Sequence, residues 1–122
     1  MTSPTQRTRD VCKERGWASW IVEKFVRFPP PGHRSDMFGF IDIVALTDTG
    51  DTLAIQCTST GGASRQAKIE DSEYLPAVLN AGWYVEVWTW RKTNDRKAGK
   101  RKTWALRRVR LVGPSNWEEL EA

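Results

Sequence analysis

The fold of this 122-residue chain is decided by the stretch DMFGFIDIVALTDTGDTLAIQCTS, residues 36–59. It contains two apolar runs, 39–47 and 52–59, that alternate in the two-residue rhythm of β-strands. Asp and Gly in the segment 48–51 are typical of a tight turn, so the two runs are predicted to pair as a hairpin. Both runs are apolar on both faces, which predicts a sheet that is covered on both sides.

Each strand of this hairpin carries one polar residue inside its apolar run. Asp42 lies in the first strand and Gln56 in the second. The turn places Asp42 opposite Gln56 or Cys57, and a small shift in register decides which. The side-chain oxygens of Asp42 and Gln56, with the backbone carbonyl of Cys57, form a plausible partial shell for a divalent cation.

Simpler interpretations of these polar residues stay open. Asp42 fits an exposed position on an edge strand or a cap of the hairpin, and Gln56 fits an ordinary hydrogen bond across the sheet. Cys57 is typical of a small buried apolar residue. Asp36, at the boundary between loop and strand, is either a second metal ligand or a turn cap.

The segments around the hairpin complete the predicted fold. Helices are predicted at 4–15 and 63–80, the second kinked near Pro76. Further strands are predicted at 17–28, 82–90 and 103–112, the last as an edge strand, with loops at 29–35 and 91–102. SNWE at 115–118 fits a capping box and predicts a C-terminal helical turn.

These elements predict an α/β (α+β) fold, with a single mixed sheet of about five strands and helices packed on it. The order is αβββαββ, in one domain that spans residues 1–122. The chain contains two cysteines, too few for a disulfide framework, and no apolar run near the roughly 18 residues of a membrane helix. A cytoplasmic (intracellular) location without membrane contact is therefore expected.

The charge of the chain is uneven. The formal net charge is +4, but residues 91–110 hold ten Lys or Arg against one acid, while the tail 115–122 is acidic. A basic block of this size favours a polyanion such as nucleic acid as the partner. A positively charged surface that meets only solvent is the alternative.

The element order, with an acid in the first strand of the hairpin and a polar pair in the second, resembles the PD-(D/E)XK nuclease superfamily. The most similar branch contains Holliday-junction resolvases and related phage and bacterial endonucleases. In that family an Asp, a Glu or Gln, and a Lys two residues later form the centre. The resemblance places the Asp at Asp42 and the Glu or Gln at Gln56, but Thr58 stands where the lysine belongs.

This resemblance implies a restriction-endonuclease-like core, Mg²⁺ or Mn²⁺ as the cofactor, branched or duplex DNA as the substrate, and a homodimer. The family's lysine supplies positive charge at the site. With Thr58 in its place, Lys68 on the next helix is the candidate for a migrated lysine, and Arg65 is its substitute. A further acid from the first helix is expected, with Glu14 the best placed and Glu23 its competitor.

The basic residues are predicted to bind DNA. They are Arg65, Arg91, Lys92, Arg96, Lys97, Lys100, Arg101, Lys102, Arg107 and Arg108. Three functions follow from these observations. The first is a metal-dependent DNA endonuclease with Asp42, Gln56, Thr58 and Lys68 at its catalytic centre. The second is a nuclease-derived DNA-binding module that has lost catalysis, and the third is a protein-interaction module.

Overall fold

The computed structural model of the chain describes residues 3–95 and 101–122, and the side chains of all of these except 93–95 and 101–102. In chain order the elements are α1 (Pro4–Glu14), β1 (Ala18–Ile21), β2 (Lys24–Val26), β3 (His33–Ser35), β4 (Ile43–Leu46), β5 (Thr52–Thr58), α2 (Gly62–Glu70), α3 (Leu75–Asn80), β6 (Tyr84–Asp95), β7 (Arg101–Gly113) and β8 (Asn116–Leu120). Six strands form the main sheet in the order β1-β4-β5-β6-β7-β8, and β2 pairs with β3 in a small second sheet. The predicted mixed sheet with packed helices is confirmed.

The central hairpin forms as the sequence predicts. β4 and β5 pair antiparallel, with Ile43 opposite Ile55 and Leu46 opposite Thr52. The turn closes through a hydrogen bond of 2.9 Å from the Thr47 N–H to the Asp51 carbonyl. Gly50 in this turn has a φ of 87°, a left-handed conformation that glycine adopts without steric cost.

The sheet is covered on both faces, and alternation along its strands sorts the core into two layers. On one face, Cys12 of α1 packs with Ile43, Ile55 and Trp88. On the other face, Ile69 of α2 and Val78 of α3 pack with residues such as Ala54, Val85 and Val87. β5 and β6 are parallel, and the chain between them forms α2 and α3. This crossover carries the chain over one face of the sheet, as parallel neighbours require.

The segment 17–28, predicted as one strand, is divided between two sheets. β1 pairs with β4 at the edge of the main sheet, whereas β2 pairs with β3. The predicted loop 29–35 therefore contains β3. The helix predicted at 63–80 is two helices, and Pro76 lies in the first turn of α3, where a missing N–H is tolerated.

The C-terminal part differs most from the sequence prediction. β7 is an interior strand between β6 and β8, not an edge strand. Of the predicted basic loop 91–102, residues 91–95 belong to β6 and 101–102 to β7, and residues 96–100 lie outside the described part. The predicted helical turn after Ser115 is strand β8, since its backbone pairs with β7 from Trp117 to Leu120. Within 3–95 and 101–122, none of the helices is long and apolar enough to cross a membrane.

Candidate metal centre

Asp42 and Gln56 lie side by side at one end of the β4–β5 hairpin. The Asp42 N–H donates to the Ile55 carbonyl at 2.9 Å and so extends the ladder by one residue. The Asp42 Oδ2 accepts hydrogen bonds from Gln56 Nε2 at 2.6 Å and from the Cys57 N–H at 2.9 Å. Both side chains are almost fully buried, at 4% and 3% exposure. The Asp42 carboxylate therefore takes the place of the backbone carbonyl that would accept the next hydrogen bond between β4 and β5.

The amide of Gln56 is only half satisfied. Its nitrogen makes the hydrogen bond across the sheet that the simpler interpretation predicts, but its buried Oε1 has no hydrogen-bond partner among the described residues. A buried polar atom without a partner costs about 1–3 kcal/mol. Gln56 also lines a surface cavity of about 450 Å³ that Asp42 lines with it. Gln56 thus offers one acceptor that no group of the described residues uses.

Three carboxylates converge on the same cavity. One oxygen each of Glu23, Asp36 and Asp42 lies within 4.8 Å of the others. Glu23 follows β1, and a hydrogen bond of 2.9 Å from the Val22 N–H to the Asp42 carbonyl holds this part of the chain beside β4. Asp36 directly follows β3 and accepts a hydrogen bond from the Gly39 N–H through its own carbonyl at 3.0 Å. Asp36 is therefore part of a turn and a member of the acidic group, and its role as a metal ligand stays a prediction.

The pKa of Asp42 reflects this environment. Burial raises the pKa from 3.8 to about 8; the hydrogen bond from the Cys57 N–H opposes this rise, and the charges of Asp36 and Glu23 add to it. Asp42 is therefore mostly protonated at neutral pH when no cation is near. A divalent cation would favour the ionised carboxylate and release the proton.

Basic side chains border the acidic group. The Arg34 Nη1 lies 2.8 Å from Glu23 Oε1, and the Lys68 Nζ lies 3.6 Å from Asp36 Oδ2. Arg65 lines the same cavity, one helical turn before Lys68 on α2. The structure thus brings both predicted substitutes for the missing lysine to the cavity.

Thr58, which stands where the resemblance places a lysine, has a hydroxyl that is bound to the backbone. Its buried hydroxyl donates to the Thr60 carbonyl and accepts from the Thr60 N–H at 3.2 Å. These two hydrogen bonds fold the chain at the end of β5 into a turn. Thr58 lines the cavity, but its hydroxyl is engaged in shaping the turn.

The structure distinguishes between Glu14 and Glu23, the two candidates for a further acid at the site. Glu14 is exposed at the last residue of α1 and lies outside the acidic group found among the described residues. Glu23, the alternative, is a member of that group. The expectation that α1 supplies the further acid is therefore corrected in favour of the segment after β1. The carbonyl of Cys57 as a ligand stays a prediction, whereas its N–H is the donor to Asp42.

The predicted DNA-binding residues differ in their exposure and in their contacts. Arg91 and Lys92 are exposed on β6, and the Lys92 Nζ lies 5.6 Å from the centre of the Trp104 ring. Arg107 is exposed and forms an ion pair with Glu119 of β8. Five further residues of the basic block have side chains that lie outside the described part of the structure: Arg96, Lys97, Lys100, Arg101 and Lys102.

The prediction that Arg108 binds DNA is corrected, because Arg108 is buried and belongs to an internal ion cluster. Its Nη2 and Nε lie 2.8 and 3.0 Å from Glu86 Oε1. Arg110 binds the other oxygen, Oε2, at 2.6 and 2.9 Å, and Trp88 Nε1 donates to Oε1 at 2.8 Å. Sequence reasoning missed this cluster. The only signal was the matching alternation of Glu86 in β6 with Arg108 and Arg110 in β7.

Comparisons with protein-family models, with curated proteins and with solved structures find no match to this chain. The geometry of the cavity and the chemistry of the groups that line it are therefore the basis on which a function is proposed.

Proposed function

We propose that this chain is a Mg²⁺- or Mn²⁺-dependent DNA endonuclease of the PD-(D/E)XK type that hydrolyses phosphodiester bonds. One observation carries the proposal: Gln56, whose buried Oε1 has no hydrogen-bond partner among the described residues, lines the same cavity as Glu23, Asp36 and Asp42, whose carboxylates lie within 4.8 Å of one another. An acceptor without a donor, beside acids that repel one another, is the arrangement expected of ligands for a cation.

The donor set fits a hard divalent cation. Carboxylate and amide oxygens are the ligands that Mg²⁺ takes, and Mg²⁺ usually binds through one or two carboxylates while it keeps several waters. Glu23, Asp36, Asp42 and Gln56 would hold the ion. When bound, it would neutralise charge on a phosphate and lower the pKa of a coordinated water.

The chain's own groups prepare the site for that ion and for a phosphate. Asp42 would lose its proton when a cation binds, and the Cys57 N–H and Gln56 Nε2 keep its carboxyl group in place. Lys68 and Arg65 supply positive charge on the α2 side of the cavity. Lys68 would be released from Asp36 when that carboxylate binds the cation, and its ammonium would then be free to contact a phosphate oxygen.

DNA is the proposed polyanion because exposed Arg91 and Lys92, with the rest of the basic block in the sequence, favour phosphate contacts. A homodimer is proposed on the resemblance. A DNA-binding module without catalysis is the second candidate. It is favoured by Thr58, whose hydroxyl is engaged with Thr60 at the position of the family's lysine.

Cleavage assays separate the two candidates. The protein would be incubated with branched, single-stranded and duplex DNA in Mg²⁺ or Mn²⁺, and then in a chelator. We expect cleavage that the chelator abolishes and that Asp42→Asn and Glu23→Gln lower by more than about 100-fold, since loss of groups that support a metal alone costs 10–100-fold. Glu14→Gln, an acid outside the group, is the matched control and should cleave normally.

Two results would decide against the enzyme. Salt-sensitive DNA binding without cleavage in either metal would favour the binding module. Cleavage that persists in chelator, or that falls equally in Glu14→Gln and Glu23→Gln, would contradict the proposed metal ligands.

A further inference from the structure

A pair of exposed aromatic rings lies next to the candidate metal centre. The ring centroids of Phe38 and Tyr74 are 5.1 Å apart with an angle of 32° between their planes. Both side chains are partly exposed, at 39% and 46%. Phe38 is two residues after Asp36 in the same turn, so the turn that presents a carboxylate to the metal centre also presents this ring.

The backbone holds Phe38 in an unfavourable conformation. Its φ is 55°, in the left-handed region, where the backbone of a bulky residue is strained. The turn is fixed by hydrogen bonds of 3.0 Å from Gly39 N–H to the Asp36 carbonyl and from Ile41 N–H to the Met37 carbonyl. Phe38 is therefore kept exposed by the surrounding structure against its own preference.

Ser72 connects the two aromatic residues. Its hydroxyl donates to the Phe38 carbonyl at 3.3 Å and accepts from the Tyr74 N–H at 3.2 Å. One side chain thus fixes the backbone of both ring-bearing residues, although they are far apart in the sequence. The backbone positions from which the two rings project are therefore tied to one another.

The rings border a cavity of about 630 Å³ that shares Asp36 and Lys68 with the metal centre. Its lining also includes Ser35, Asp71, Ser72 and Glu73. Carboxylates repel phosphate, but they accept hydrogen bonds from the amino and imino groups of nucleobases. Lys68, at the boundary of the two cavities, is placed to bind the phosphate between them.

We propose that Phe38 and Tyr74 form a stacking platform for an unpaired base next to the phosphate bound at the metal centre. Aromatic side chains stack on any base whose face is free, whereas the bases of a continuous duplex already stack on one another. The substrate class is therefore nucleic acid with unpaired nucleotides at the cleavage site, such as a branch or a single-stranded segment. This inference rests on the proposed function for the position of the phosphate.

The test is a binding measurement that does not require catalysis. A single-stranded oligonucleotide that contains the fluorescent base 2-aminopurine would be titrated with the full chain in EDTA and in Ca²⁺. We expect the fluorescence to be quenched on binding, because the probe base stacks on the rings. Phe38→Gly and Tyr74→Leu should each weaken the affinity about tenfold and remove the quenching, in line with the cost of losing one stacked base.

Matched variants separate stacking from folding. Glycine suits the φ of residue 38, so Phe38→Gly removes the ring without adding backbone strain. Tyr74→Phe keeps the ring and should retain both affinity and quenching. Phe28→Ala removes a more exposed ring, at 75% exposure, that does not line this cavity, and it should bind like the original protein.

The outcomes distinguish this inference from the proposed function. If Phe38→Gly and Tyr74→Leu bind and quench like the original protein, the platform is wrong, even when Asp42-dependent cleavage is present. Equal weakening by Phe28→Ala would also overturn it. Quenching that depends on both rings supports the platform, including in a protein that cuts nothing, where only the proposed function fails.

Discussion

Glu86 and Asp42 are two buried acids on opposite faces of one sheet, and their partners differ completely. Glu86 is fully buried, and both of its oxygens are bound by guanidinium groups of Arg108 and Arg110. Asp42 is nearly as buried, but its donors are one amide nitrogen and one backbone N–H, and its nearest charged neighbours include two more acids. The charge of Glu86 is neutralised within the fold, and that of Asp42 is not.

The difference separates a structural role from a functional one. The buried carboxylate of Glu86, with each oxygen bound by a guanidinium group, holds β6 to β7 and has no need of a ligand from outside. A buried acid with a raised pKa, beside other acids and an unpaired amide oxygen, is stabilised only by a proton or by a cation from outside. The following predictions test this contrast, from the largest expected effect to the smallest.

Removal of the charge of Glu86 should damage the fold most. Glu86→Gln leaves Arg108 and Arg110 near one another without a carboxylate, and breaking a buried pair in this way costs about 3–5 kcal/mol. We expect a large fall in the urea concentration at the midpoint of unfolding, or failure to fold. Circular dichroism measures both outcomes. Glu118→Gln on β8, opposite Arg110 in the register but exposed, is the control and should stay near the original stability.

Removal of the charge of Asp42 should raise the free energy of unfolding, whereas removal of the charge of Glu86 should lower it. Because its folded pKa of about 8 lies above the ordinary value of 3.8, its contribution to stability is complete below about pH 4 and is lost as the pH rises through about 8. At pH 8 in EDTA we therefore expect Asp42→Asn to be more stable than the original protein by about 2 kcal/mol.

Urea unfolding at pH 5 and pH 8 measures this difference. Addition of Mg²⁺ at pH 8 should stabilise the original protein and leave Asp42→Asn unchanged, because only a folded-state ligand shifts the equilibrium. A variant that is less stable than the original protein at pH 8 in EDTA would show that the Asp42 charge is already compensated.

A change at Gln56 should act on the metal more than on the fold. Gln56→Glu adds a carboxylate where the oxygen now has no partner, and we expect Mn²⁺ to bind about tenfold more tightly, as a charged ligand is a stronger donor than an amide. Gln56→Met removes the oxygen at similar volume and should weaken binding. Calorimetric titration with Mn²⁺ measures both, and equal affinities for the two variants would exclude residue 56 as a ligand.

The smallest effect is expected at the exposed pair of Arg107 and Glu119. Their side chains are 57% and 62% exposed, and exposed pairs contribute less than about 1 kcal/mol. Arg107→Ala should therefore change the urea midpoint only slightly. A loss as large as that of Glu86→Gln would mean that the exposed edge of the sheet, and not its buried cluster, holds β7 in place.

The centre of the fold was predictable because its signals are local. The turn chemistry of 48–51 predicts that β4 pairs with β5 and leaves Asp42 opposite Gln56 or Cys57. The structure places Asp42 beside Gln56, with the Cys57 N–H as its second donor. Alternation also assigns Glu86 and Trp88 to one face of β6. A hairpin with a short turn leaves the chain few alternatives, so the residue pattern and the three-dimensional pairing agree.

The rest of the site depends on pairings that no local pattern contains. The residues of 17–28 alternate as one strand would, but alternation does not say which sheet a strand joins, and the division after Ile21 is what brings Glu23 to Asp42. Arg108 belongs to a basic block in the sequence and becomes buried only through its register with β6. SNWE has the pattern of a helix cap, yet pairing with β7 outweighs that preference and extends the sheet.

The buried thiols of Cys12 and Cys57 give the molecule a built-in reporter of opening. They belong to the same core layer, one on α1 and the other on β5, and burial raises the pKa of Cys12 to about 11 and that of Cys57 as well. A thiol is alkylated through its ionised form, so both should react slowly in the closed protein at neutral pH. The rate of alkylation by an added reagent therefore counts how often α1 separates from the sheet, without any introduced label.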